Sequence, residues 1–173
     1  KVVVAKNITN INRLSLVLNG DFLVRENDYL FNLSLETLDQ TFKSLFSVVP
    51  GIYQSEFDQL QTNGDFNFRG SFNGIYSDSL MPKFNVQMIV MDGYFKYPDF
   101  SESVNQIQMN LSVDFPGGND LDLIKLNLEN FSLGFLNSTL KTNIYACTLI
   151  SDPFLKGALK SDINLSANIL APS

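Results

Sequence analysis

The chain has 173 residues, of which 45% are hydrophobic and only 17% charged, so it is one domain or two small ones in tandem with enough apolar material for a core. A net charge of −6 argues against nucleic acid or an anionic membrane surface as partner, since both demand clustered Lys and Arg. The absence of histidine removes the usual general base, metal ligand and triad member, and a single cysteine excludes an internal disulfide or a cysteine zinc site.

The predicted elements begin with Leu14, Leu16 and Leu18, whose spacing of two marks a strand with one apolar face. Asn19-Gly20-Asp21 predicts a hairpin turn before Phe22 and Val24 resume the pattern. Glu26-Asn27-Asp28 is a second polar turn, followed by Tyr29, Phe31, Leu33 and Leu35 on one face. The period then lengthens. Leu38, Phe42, Leu45, Phe46 and Val49 fall at helical spacing, which predicts an amphipathic helix over 39–49 with Asp39 near its start and Pro50-Gly51 as its stop. Ser55 through Leu60 predict one further helical turn, with Ser55 as cap and Asp58 three positions on.

Strands return with Phe66, Phe68 and Phe72, then with Phe84, Val86, Met88 and Val90, after which Asp92-Gly93 predicts a turn into Tyr94–Tyr97. Pro98 and Asp99 end that segment, because proline donates nothing to a ladder. Ile107, Met109, Leu111, Val113 and Phe115 alternate strictly up to Pro116-Gly117-Gly118-Asn119. The stretch from Leu121 to Thr148 changes parity near Asn130, the sign of a bulge or a turn, and Asp152-Pro153 precedes Leu155, Leu159, Ile163 and Leu165. Asn19-Gly20-Asp21-Phe22 recurs as Asn63-Gly64-Asp65-Phe66, a short echo that suits a repetitive β architecture. The expected fold class is mostly β: an antiparallel, curled or twisted sheet, trough or sandwich-like, with one short amphipathic helix. The chain reads as a single module over 1–173, with possible sub-units at 1–54 and 55–173.

Eight strands about 10 residues long and about 4.8 Å apart make a face of roughly 38 by 33 Å. A 12-residue helix, about 18 Å long and about 10 Å across, covers only about a seventh of it. A second sheet, closure into a barrel, or a trough that meets a ligand or a neighbouring module would cover the rest, and periodicity does not choose among them. The aromatic row Phe66, Phe68, Phe72, Phe84, Phe95 and Tyr97 fits a core or a lipid site equally well.

Catalytic chemistry has little to stand on. Asp120 with Asp122, and Glu26 with Asp28, lack calcium-loop spacing, and acidic residues at turns commonly cap or are solvated. A carboxylate hydrolase is the weakest alternative, since sugar sites commonly bring tryptophan platforms and this chain has no tryptophan. Six sequons, at Asn7, Asn32, Asn110, Asn130, Asn137 and Asn164, arise readily where Asn and Ser or Thr two apart share a wet strand face. Cys147 has Ala146, Thr148 and Leu149 around it in the chain, with no base or cation to activate a thiolate. No apolar run approaches the roughly 20 residues of a spanning helix, and the start at Lys1-Val2-Val3-Val4 reads as a piece excised from a longer chain.

Residues 60–170 carry a resemblance. Leu60-Gln61-Thr62-Asn63-Gly64-Asp65-Phe66-Asn67-Phe68-Arg69-Gly70, then Gly74, Tyr76, Met81-Pro82-Lys83-Phe84 and Asp92-Gly93-Tyr94-Phe95-Lys96-Tyr97-Pro98-Asp99, resemble the AsmA-like family of Gram-negative bacteria in a form found among Bacteroidetes. Ile150-Ser151-Asp152-Pro153-Phe154, Gly157 and Leu159 fit the same pattern, as does the strand and helix of Leu33–Pro50. These motifs are structural signatures, and none is a catalytic set.

The resemblance implies a periplasmic β-rich body, with the full-length protein anchored in the inner membrane, related to bridge-like lipid transporters whose curled sheet carries acyl chains. It therefore implies a non-enzymatic segment that handles lipid or assists outer-membrane assembly, without cofactor or metal. Its partners would be phospholipid acyl chains and neighbouring β modules of the same chain, with no nucleic acid and no membrane insertion by this fragment. The candidate lipid face is Phe66, Phe68, Phe72, Val86, Met88, Val90, Ile107, Met109, Leu111, Val113 and Phe115. The alternative is a dry β-sandwich that serves as a structural or protein-binding module of the cell envelope.

Overall fold

The computed structural model describes residues 1–38, 40–47, 59–98 and 101–164. Ten strands follow in chain order: β1 Val2–Ile11, β2 Leu14–Val24, β3 Tyr29–Thr37, β4 Gln40–Thr41, β5 Gln61–Tyr76, β6 Lys83–Lys96, β7 Val104–Phe115, β8 Lys125–Phe135, β9 Ser138–Cys147 and β10 Phe154–Asp162. All belong to one antiparallel sheet in the order β1-β2-β3-β5-β6-β7-β8-β9-β10, with β4 set aside on β5. The sheet is curled but open, and β1 and β10 are its edge strands among the described residues. Pairing of β3 with β5 carries it across the chain segment between Thr37 and Gln61, which holds β4 and α1.

One helix is described, α1 at Phe42–Phe46. It is shorter than the 39–49 expectation because Gln40 and Thr41 pair with Phe66 and Asp65 as β4, and Thr41 occupies the N-cap. Asp39, Val49 through Gly51, Ser55 through Asp58, Asp99 and Leu165 lie outside the described residues. The core sits between α1 and one end of the sheet, where Phe42 meets Leu14, Phe66, Val90 and Ile107, flanked by Leu45, Phe68, Met88, Met109 and Leu133. Burying the two phenylalanines and three aliphatic side chains of this cluster supplies about 1.5–3 kcal/mol per side chain.

Two expected turns are not turns. Asn19-Gly20-Asp21 lies inside β2, and the β1–β2 hairpin turns instead at Asn12-Arg13, where Asn12 has φ of 54°. Asp92-Gly93 lies inside β6 as a bulge, with Asp92 at φ of 51° and the β6–β7 register shifting between Val90 and Gly93. Both the primed hairpin turn and the bulge take a residue of positive φ, so Asn-Gly and Asp-Gly signal either. Near Asn130 the parity change is a bulge (φ 54°), and the β8–β9 hairpin turns later, at Leu136-Asn137.

The bulges are aligned. The extra residues Asp92 in β6, Gln106 in β7 and Asn130 in β8, each at positive φ, fall on three adjacent strands, and the first also breaks the register of β6 with β5 between Asn63 and Asp65. Because a bulge bends its strand and sharpens the local twist, the row acts as a crease across the middle of the sheet, next to the α1 core.

Candidate functional site

In antiparallel pairing, directly opposed residues share a face, so the register traces each face across the whole sheet. One trace runs Leu18, Leu35, Gly70, Val86, Val113, Leu126, Ala146 and Leu155 from β2 to β10. A second joins Phe66, Val90 and Met109, a third Phe68, Met88, Leu111, Leu128 and Ile144, and a fourth Phe22, Phe31, Gly74. No Asp, Glu, Lys or Arg occupies a paired position on this face among the described residues.

All eleven candidate residues lie on it, but not in one environment. Phe66, Val90 and Ile107 are buried beneath α1, and Phe68, Met88 and Met109 pack against that cluster. Phe115 is 1% exposed and meets Phe84 at 5.4 Å between ring centroids, with Phe72 on the other side of Phe84 at 6.0 Å. Phe72, Val86, Leu111 and Val113 are only half-buried and lie outside the α1 cluster. The aromatic row is therefore divided in the same way: Phe66 seals the core, whereas Phe72 and Phe84 line the sheet beyond it.

Residues outside the candidate set extend this open part on both sides: Leu18, Leu33 and Leu35 on β2 and β3, and Leu126, Leu128 and Ile144 on β8 and β9. Their alternation was visible in the sequence, but which strand neighbours which is a property of pairing alone. At the end away from α1, Phe31, Leu33, Phe72, Tyr76, Met81 and Pro82 line an open apolar hollow of about 340 Å³. The segment after β5 forms its rim, held by Met81 and Gly118, whose backbone N–H groups each donate to the other's carbonyl at 2.9 and 3.0 Å.

The opposite face is polar and its chemistry is structural. Asn85 and Gln87 of β6 donate to Asp114 and Asn110 of β7. Asn32, a sequon residue, donates to Asp21 at 3.3 Å. Asp122, in a 3-10 turn at Leu121–Leu123, accepts the backbone N–H groups of Ile150 at 2.9 Å and Ser151 at 3.1 Å. Hydrogen bonding from the Ser151 side chain, then from those N–H groups, holds its carboxyl below the ordinary 3.8. Asp120 accepts from the Asp122 N–H at 3.0 Å. These carboxylates fasten loops, and no group of three or more metal-ligating side chains occurs among the described residues. Cys147 lacks a cation beside it in the chain, yet the fold sets Lys125 directly opposite it. A hydrogen bond with Cys147 raises the neighbouring Tyr145 hydroxyl above its usual range.

No described helix is long and apolar enough to cross a membrane. No protein-family model, curated protein or solved structure matches the chain.

Proposed function

We propose that this chain is a periplasmic segment of an AsmA-like envelope protein and that its apolar sheet face holds lipid acyl chains. The observation that carries the reading is the continuous uncharged face from β2 to β9, of which α1 covers only one end. An acyl chain laid on Leu111, Val113, Val86 and Leu128 leaves water at about 0.8 kcal/mol per buried CH₂, without any polar contact. Headgroups stay at the rim of the sheet, where side chains are hydrated. Such a face needs no nucleophile, acid or metal, and on the opposite face Asp21, Asp92 and Asp114 accept cross-strand hydrogen bonds while Asp122 fastens a loop.

Protein purified without detergent and extracted for mass spectrometry tests this. Phospholipid is expected to co-purify, and Leu111→Asn with Val113→Asn is expected to lower its recovery about tenfold, since losing two buried aliphatic side chains exceeds the 1.4 kcal/mol that a factor of ten requires. Circular dichroism checks that the sheet persists. Lipid-free wild-type protein, or equal lipid in the folded variant, overturns the reading.

A further inference from the structure

The two free edges of the sheet are not equivalent. β1 is interrupted after Val4 by a bulge at Lys6, which has φ of 47°. β10 pairs with β9 over nine consecutive residues without a break, is exposed along its whole length, and has no partner on its outer edge among the described residues. Just past its end at Asp162, the Asn164 backbone N–H donates to Ser138 Oγ of β9 at 2.9 Å. Leu155, Leu159 and Ile163 are 69%, 70% and 65% exposed. A long regular edge of this kind is a template for another strand.

We propose that β10 pairs antiparallel with β10 of a second copy, about a two-fold axis at Leu159, making a symmetric dimer. Opposed residues must share a face, so only registers with a residue opposite itself preserve the apolar side. The register centred on Leu159 is the one that pairs all of 154–164. It sets Lys156 opposite Asp162 twice, Leu155 opposite Ile163 twice, Leu159 against its copy, and Gly157 against Ser161. Across the interface each Lys160 faces Ala158, while within its own sheet it stands opposite Lys141 of β9.

The neighbouring registers are worse. Centring on Ala158 puts Lys156 against Lys160, and centring on Lys160 puts that lysine against itself, both like-charge clashes. Centring on Gly157 forms no ion pair. Centring on Ser161 pairs Lys160 with Asp162 but sets Phe154 through Gly157 against positions outside the described residues. Lysines on an edge strand ordinarily discourage pairing, and here their spacing against Asp162 selects one pairing. The contact is isologous and closes on itself, and it carries the apolar face of one copy into that of the other. It stands independently of whether that face binds lipid.

Sedimentation velocity over a concentration series tests it. The expected result is a monomer–dimer equilibrium in which Lys156→Asp or Asp162→Lys weakens association by about tenfold or more, because two attractive pairs become two repulsive ones. The double exchange Lys156→Asp with Asp162→Lys restores it, and Lys160→Gln leaves it unchanged. On β9, Tyr145 and Thr139 oppose these two positions, so the exchange brings no new charge clash with the directly opposed residues inside the monomer. A protein that stays monomeric, an open-ended ladder of oligomers, or a dimer that the single exchanges leave intact overturns the proposal.

Discussion

Gly20 and Gly64 explain the short echo Asn-Gly-Asp-Phe. Both sit inside strands at positive φ, 125° and 108°, with the neighbouring backbone pressed against the missing side chain. A Cβ on Gly20 would lie 1.9 Å from the Asn32 carbonyl oxygen, and one on Gly64 2.7 Å from that of Asp92. Gly20→Ala is therefore expected to cost about 3 kcal/mol or more, from backbone strain plus a forced shift of β3. Gly118 has a similar φ of 118° but open space around its Cβ position, so Gly118→Ala should cost only about 1 kcal/mol. Urea unfolding of the two variants compares them directly, and equal losses would refute the close-approach argument. The sequence offered the glycines but not their neighbours, and a turn was the natural reading. Asp122 makes a second residue-scale case. Its carboxyl is held below 3.8 by hydrogen bonds that exist only in the folded chain, so its contribution to stability is present above that value and fades as pH falls through the lowered folded one. Asp122→Asn should remove that part of the acid sensitivity, measured as a flatter dependence of the unfolding midpoint on pH below about 4.

At the scale of the element, the strands were legible and their interruptions were not. Each bulge adds one residue, which reverses the alternation in sequence while keeping the same face apolar in space. Leu126 and Leu128 before Asn130, and Phe131 and Leu133 after it, thus stay on one side of β8. Two of the bulged amides are satisfied by asparagine: the Lys6 N–H donates to Asn19 Oδ1 and the Asn130 N–H to Asn143 Oδ1, both at 2.7 Å. The Asn content of the chain, which reads as a sign of wet strand faces, also serves these breaks. Deleting Asn130 should turn one half of β8 inside out and lose more than about 3 kcal/mol, the cost of exposing several core side chains. Asn130→Gly keeps the count and relieves the positive φ, so its thermal midpoint should stay within a few degrees of wild type. Comparable destabilisation by both changes would contradict the parity argument. The helix was visible by its period, but pairing of Gln40 and Thr41 with β5 shortened it, a tertiary contact that no local pattern encodes.

For the whole molecule, the decisive quantity was coverage. Periodicity gave one greasy side per strand and left open whether a sheet, a barrel or a ligand covers it. The described strands form a single open sheet, and α1 at Phe42–Phe46 covers one end of it. The division of the candidate face into a sealed part at Phe66, Val90 and Ile107 and an open part at Leu111 and Val113 follows from where that one helix lands. Nothing in the alternation of β7 alone separates Ile107 from Leu111. The strand order has its own consequence. Apart from β4, the strands stand side by side in the order of synthesis, so each one leaving the ribosome meets an edge that is already folded, and only β5 has a long connection to cross, the one that holds β4 and α1. The sheet can grow row by row during translation, never waiting for a distant segment, and at every stage its newest strand is the one exposed to whatever arrives next.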